Sequence, residues 1–189
     1  MAARVGLLSR KGQRRLCFTS SWEGEGKTSL VAGLGVALAQ TGFQVLLIDT
    51  DLRRPTLSRL FGTQDTPGLI DALKDELVQP EQATPVDRLR LIAAGRLRET
   101  TDYGALLSRP RLGQLLQDPS RILICDTPPL SVCHDALIVA AHLDGVYLVS
   151  SATKFVGVPE GHFSEDIRDQ GIPLLGVVMT SSRGDQKSS

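Results

Sequence analysis

Ser21-Trp22-Glu23-Gly24-Glu25-Gly26-Lys27-Thr28 follows the apolar run Leu16-Cys17-Phe18 and precedes Leu30, Val31, Leu34, Ala37 and Leu38, which have helical spacing. The order strand, Gly-rich turn, helix is close to the phosphate-binding pattern G-x-x-x-x-G-K-[ST], with Ser21 in the first Gly position. The residue types have a chemical reason. Gly24 and Gly26 let successive backbone N–H groups turn toward phosphate oxygens. The helix that follows aims the positive end of its dipole at the same point. Lys27 supplies a point charge for the terminal phosphates, and the Thr28 hydroxyl suits a Mg²⁺ ion.

Two further stretches support this reading. Val45-Leu46-Leu47-Ile48 is an unbroken apolar run, as in a strand buried on both faces, and it ends in Asp49-Thr50-Asp51-Leu52-Arg53-Arg54-Pro55. Arg121-Ile122-Leu123-Ile124-Cys125 does the same and runs into Asp126-Thr127-Pro128-Pro129. Ligands of α/β sheets bind at the C-terminal ends of such strands. Asp126 is the carboxylate expected to hold Mg²⁺ opposite Lys27 and Thr28.

Around these runs, strands and helices alternate. Leu89 to Ala93, Val146 to Val149 and Leu174 to Met179 read as strands. Thr56 to Phe61, Leu69 to Leu77, Asp135 to Ala141 and Pro159 to Asp169 read as helices, as does 105–116, with Pro110 near a boundary. Gln79 to Pro85 reads as loop, and Arg96 to Tyr103 as a polar, mobile stretch. The basic residues 1–14 read as a solvated terminus in preference to the tail of a helix over Ala2 to Leu8, and 181–189 as a flexible tail. The expected fold is a single α/β domain over 1–189: a P-loop NTPase with a mostly parallel sheet and helices on both faces.

Composition narrows the function. Lys plus Arg and Asp plus Glu each total 21, so the formal net charge is zero, which argues against bulk nucleic-acid binding. Aromatic residues make up 4%, too few for stacking platforms. Cys17, Cys125 and Cys133 are odd in number without metal-like spacing, as expected of reduced thiols in a cytoplasmic protein. No apolar run approaches the ~20 residues that span a bilayer. The expectation is a cytoplasmic protein, peripheral at the inner membrane face only through a partner.

Taken together, the loop at 21–28, the run Leu46 to Pro55 and the run Ile122 to Pro129 resemble the bacterial tyrosine kinases of exopolysaccharide assembly. In that family they are the Walker A, A′ and B motifs. The resemblance covers Leu16 to Thr180, and the D-x-D-x-R-x-P string at 49–55 is its specific part. The ParA/MinD partition ATPases are more distant relatives. The resemblance implies transfer of the ATP γ-phosphate to tyrosine with Mg²⁺. It implies nucleotide binding by Glu23, Gly24, Glu25, Gly26, Lys27, Thr28, Ser29 and Arg53. Thr28, Asp51 and Asp126 would position the metal. Lys27, Asp49 and Asp51 would be catalytic, Asp49 activating the attacking hydroxyl. It also implies a membrane chain-length regulator or polysaccharide co-polymerase as partner, and is compatible with a homo-oligomer.

The chain departs from the family at four places, and the last of them favours a second reading, an ATP-switched regulator of ParA/MinD type without kinase activity. Glu23 stands where the family has Pro. Thr180 ends the last strand where the family has an adenine-reading Asn. Residues 1–15 lack the family's E-x-x-R-x-x-R pattern. The tail has no tyrosine cluster; the tyrosines of the chain are Tyr103 and Tyr147.

Overall fold

The computed structural model describes residues 1–75, 77–96, 101–152 and 159–181, with backbone only for 159–162. In chain order the elements are α1 (Ala2–Arg10), β1 (Arg15–Ser20), α2 (Lys27–Gln40), β2 (Val45–Asp49), α3 (Thr56–Leu60) and α4 (Leu69–Lys74). There follow β3 (Glu81–Ala83), β4 (Leu89–Ile92), α5 (Tyr103–Leu107), α6 (Pro110–Leu115) and β5 (Ile122–Asp126). The last four are α7 (Asp135–Ala140), β6 (Gly145–Ser151), α8 (Pro159–Asp169) and β7 (Leu174–Thr180). The seven strands form one sheet in the order β3-β4-β2-β5-β1-β6-β7, parallel except for β3.

The continuous apolar runs explain the layers. Side chains of a strand alternate between faces, so a strand apolar at every position needs cover on both. Leu16 and Phe18 of β1 join Val45 and Leu47 of β2 and Ile122 and Ile124 of β5 in one core, closed by Val5 of α1, Leu34 and Leu38 of α2 and Leu57 of α3. Cys17, Leu46, Ile48, Leu123 and Cys125 face the other core, closed by α4 to α8 through residues such as Leu69, Leu107, Leu112, Val139 and Ile167. This is the expected P-loop architecture. Its central strands β1, β2 and β5 lie side by side, so the three motifs meet at one edge of the sheet.

Two expectations are corrected. Residues 2–10 form α1 instead of a loose terminus, because Val5, Gly6 and Ser9 make a small buried stripe opposite the exposed Arg4 and Arg10. The Arg4 guanidinium donates to the Leu175 carbonyl of β7 at 2.9 Å, which ties the helix to the sheet. Within the segment read as loop at 79–85, Glu81–Ala83 pair antiparallel with β4 as an edge strand. Glu-Gln-Ala has little strand propensity of its own. Arg121 holds Glu81 through two N–H···O bonds of 2.8 and 2.9 Å, a tertiary contact invisible in local sequence. The stretch 105–116 divides into α5 and α6, with Pro110 as the first residue of α6. Residues 97–100 and 182–189, parts of the two stretches read as mobile, lie outside the described residues.

Candidate active site

The loop between β1 and α2 sits at the C-terminal edge of the sheet, and α2 begins at Lys27. Gly24 and Gly26 have φ of 74° and 78°, left-handed values that residues with a Cβ adopt only under strain. Ser21, in the first position of the motif, is fully buried. Its carbonyl accepts from the Ser131 N–H at 3.1 Å, joining the loop to the segment after β5.

Asp126 is the centre of the floor. It is fully buried, and both its oxygens are taken. Lys27 Nζ lies 2.7 Å from Oδ1, and the Thr28 hydroxyl donates to Oδ2 at 2.7 Å. The parallel register of β2 and β5 sets Asp49 directly beside Asp126. Asp49 is fully buried as well. Its Oδ2 accepts from the N–H and the hydroxyl of Ser58, both at 2.7 Å, and its Oδ1 accepts from the Asp51 N–H at 3.3 Å. Burial first, and the Asp126 charge second, push the Asp49 carboxyl up to about 8.

The segment after β2 forms the opposite wall. Asp51 is half-buried, which raises its carboxyl above the ordinary value, and its Oδ1 accepts from the Arg54 N–H at 3.0 Å. Arg53 donates to Asp135 Oδ2 at 3.2 Å and lies 5.3 Å from the centroid of the Tyr103 ring. Arg54 forms an ion pair with Glu23 across the mouth. Between the walls is a cleft of about 610 Å³ lined by Glu23 to Ser29, Asp51, Arg53, Arg54 and Pro129, among others.

The donor set suits a nucleoside triphosphate. The cleft is of ligand size. The start of α2, Lys27, Arg53 and Arg54 offer N–H groups and positive charge, and the Thr28 hydroxyl stands between the cleft and Asp126. Thr28 and Asp126 are in direct contact, and Asp51 faces the same cleft from the other wall. Among the described residues there is no ready-made cluster of three metal-binding His, Cys, Asp or Glu side chains. A metal here would lean on Thr28 and on phosphate oxygens, as Mg²⁺ does in phosphoryl-transfer sites.

A family profile described as the CobQ/CobB/MinD/ParA nucleotide binding domain matches residues 16–189. The tyrosine-protein kinase YwqD of Bacillus subtilis (strain 168) is 32% identical over 175 residues, 90% of this chain and 73% of that one. The tyrosine-protein kinase CpsD of Streptococcus agalactiae is 32% identical over 177 residues, 90% of this chain and 76% of that one. The chain belongs to the bacterial tyrosine-kinase family. A solved relative, the kinase domain of the Escherichia coli tyrosine kinase ETK, superposes with a TM-score of 0.85 at 27% identity, covering 99% of this chain and 75% of that one.

Against the family pattern, two departures acquire a geometry. Glu23 does not stand alone beside the phosphate site, since Arg54 pairs with it. Thr180 donates to the Glu25 carbonyl at 2.7 Å, so its hydroxyl supports the loop. Glu25 is nearly fully buried, and its carboxylate accepts from the N–H groups of Trp22 at 2.8 Å and Ser151 at 3.2 Å. Only its backbone remains for a phosphate. The sequence reading missed Ser58, Asp135 and Ser151. Ser58 was legible only as a polar residue beside Leu57 in a short helix. It is buried, and its hydroxyl accepts from the Ala94 N–H at 2.9 Å while donating to Asp49. No motif marks such a bridge between separate elements.

Proposed function

We propose that the chain is an ATP-dependent protein-tyrosine kinase that works with Mg²⁺ and regulates exopolysaccharide synthesis and export. The observation that carries this reading is the shared floor, where Lys27 and Thr28 each reach Asp126 at 2.7 Å beneath a cleft also lined by Asp51 and Arg53. The family of the chain supports the same reaction.

In this reading the loop amides from Glu23 to Ser29 and the Lys27 ammonium bind the phosphates, and Arg53 stands at their flank. Thr28, Asp51 and Asp126 would hold the metal, the Thr28 hydroxyl being bonded to the buried Asp126. Mg²⁺, when bound, neutralises charge that grows on the phosphate oxygens during transfer. Lys27 leaves Asp126 for the phosphates as nucleotide enters, and its flexible stem allows this short move. Asp49 accepts the proton of the attacking tyrosine hydroxyl. Its raised pKa requires that it first lose its own proton, which the positive charge of a bound metal would favour. Catalysis then rests on positioning and charge, with no covalent intermediate on the protein.

No helix among the described residues is long and apolar enough to cross a membrane. A cytoplasmic kinase brought to the membrane by a chain-length regulator or co-polymerase fits the family reading, as does assembly with further copies. A second reading, an ATPase switch that alters docking on such a partner without phosphotyrosine, is supported by the match of residues 16–189 to the CobQ/CobB/MinD/ParA nucleotide binding domain. Incubation of the purified chain with Mg-ATP and a generic tyrosine polymer, read by phosphotyrosine mass spectrometry and ADP release, separates the two. Phosphotyrosine is expected. ADP release without it leaves the switch, and neither product removes both.

A further inference from the structure

A second groove adjoins the cleft along the segment after β2. It encloses about 620 Å³ and is lined by Arg53, Arg54, Arg59 and Arg96, with Pro55, Gln64 and one carboxylate, Asp65. The formal net charge of the chain is zero, so four guanidinium groups on one groove are a local concentration of positive charge. All four arginines are exposed. Arg53 and Arg54 follow β2, Arg59 stands on α3, and Arg96 follows β4.

The four divide into two pairs. Arg53 and Arg54 also line the cleft, and each has a carboxylate partner, Asp135 or Glu23. Arg59 and Arg96 lie outside the lining of the cleft, and among the described residues neither has a carboxylate partner. Arg59 donates to the Pro55 carbonyl at 3.3 Å and to the Thr56 hydroxyl at 3.5 Å, neutral groups that leave its charge uncompensated. The nucleotide reading makes no use of these two charges. Yet Arg59 directly follows Ser58, whose hydroxyl bonds Asp49 at 2.7 Å, so one short helix serves both the base and the groove.

We propose that this groove binds acidic residues that flank the acceptor tyrosine, and that Arg59 and Arg96 set the preference for an acidic acceptor. This rests on the kinase reading above. The groove and the cleft share Arg53 and Arg54, so a peptide laid along that wall can reach the cleft with its tyrosine while its flanking residues stay in the groove. Guanidinium forks match carboxylates in shape as well as charge. Arginines on three separate elements suit a ligand with several carboxylates better than one small anion. Complementary charge at an open groove speeds encounter and selects among partners.

The test uses the full chain, Mg-ATP and two peptides. One has glutamates on both sides of a single tyrosine, and the other has glutamine in place of every glutamate. For wild type, kcat/KM is expected to be about tenfold higher for the glutamate peptide, through KM, with the margin shrinking as salt rises. The double variant Arg59→Gln, Arg96→Gln is expected to lose most of that margin, with kcat, ATP affinity and the glutamine peptide within about twofold of wild type. The double variant Arg59→Lys, Arg96→Lys keeps the charges and is expected to retain part of the margin. Equal kcat/KM for the two peptides in wild type, or an equal loss of both in the glutamine variant, overturns the proposal. Binding is measured apart from turnover, with phenylalanine in place of the peptide tyrosine and a non-hydrolysable ATP analogue present. Preferential binding of the glutamate peptide, weakened in the glutamine variant, without phosphotyrosine on either substrate overturns the kinase reading and leaves the groove an acidic-peptide site. Equal binding of the two peptides overturns the groove, whatever the turnover. Phosphatidylglycerol vesicles are the third probe. Vesicle binding that the glutamine variant loses, without a preference between peptides, assigns the groove to a membrane surface and overturns the proposal.

Discussion

Lys27–Asp126 and Arg54–Glu23 are both ion pairs at the same cleft, one on its floor and one at its rim. On the floor, the side chains are 8% and 0% exposed, and the carboxylate has a second donor in Thr28. At the rim, Arg54 and Glu23 are 65% and 47% exposed. Charges at the rim are screened by water and salt and hold each other weakly. Charges on the floor have lost their hydration and depend on each other, so breaking one leaves the other stranded. In the proposed reading the floor therefore sets whether a phosphate can be held at all, and the rim adjusts how readily it enters.

The strongest way to break this contrast is at the floor. Lys27→Met is expected to lower ATP affinity by more than about 100-fold and to destabilise the fold by about 3 kcal/mol, because Asp126 stays buried without its partner. Calorimetric titration with ATP and denaturant unfolding measure the two effects. Wild-type affinity in this variant would remove the floor from the binding site.

Asp49 tests the floor through pH. Its carboxyl stands at about 8 in the folded chain, against about 3.9 for a free aspartate. A group with a raised folded pKa binds its proton more tightly in the folded state. The stability it contributes is complete below about pH 4 and is lost as pH rises through about 8. Asp49→Asn, which has no proton to lose, is expected to gain Tm over wild type between about pH 5 and 8, with the margin widening upward. A margin constant with pH would contradict the burial argument. Kinase turnover of the wild type is expected to rise across the same limb as the base becomes free.

Ser58→Ala probes the support of the floor. It removes the hydroxyl bonded to Asp49 and strands the Ala94 N–H, at a cost of about 1–3 kcal/mol in unfolding experiments. The rim should respond least. Glu23→Ala is expected to tighten ATP binding by about two- to fivefold at low ionic strength, with the gain fading as salt rises and stability nearly unchanged. A large, salt-independent change would mean that the rim is as desolvated as the floor.

The same division governs what could be read from the chain. The sheet and its two covered faces were legible because Leu46 to Ile48 and Ile122 to Cys125 are apolar at every position. Asp49 and Asp126 were legible as candidates because each ends an apolar strand, and Lys27, Thr28 and Asp51 because they stand in the motifs that follow β1 and β2. What escaped were contacts between elements far apart in sequence. Ser58 reaches across from α3, Asp135 holds Arg53 from the start of α7, and Glu81 becomes a strand only because β4 and Arg121 are there to receive it. The stripe on α1 was hidden by its basic neighbours.

Glu25 has a consequence for how a ligand arrives. Its carboxylate already fills the back of the loop, bonded to the N–H groups of Trp22 and Ser151, while Thr180 secures its carbonyl. An acidic residue inside an anion site thus acts as a resident template, shaping the loop before any phosphate is present. The conformational entropy of ordering the loop is spent during folding and not at each encounter, so the interactions made with an incoming phosphate appear almost undiminished as affinity.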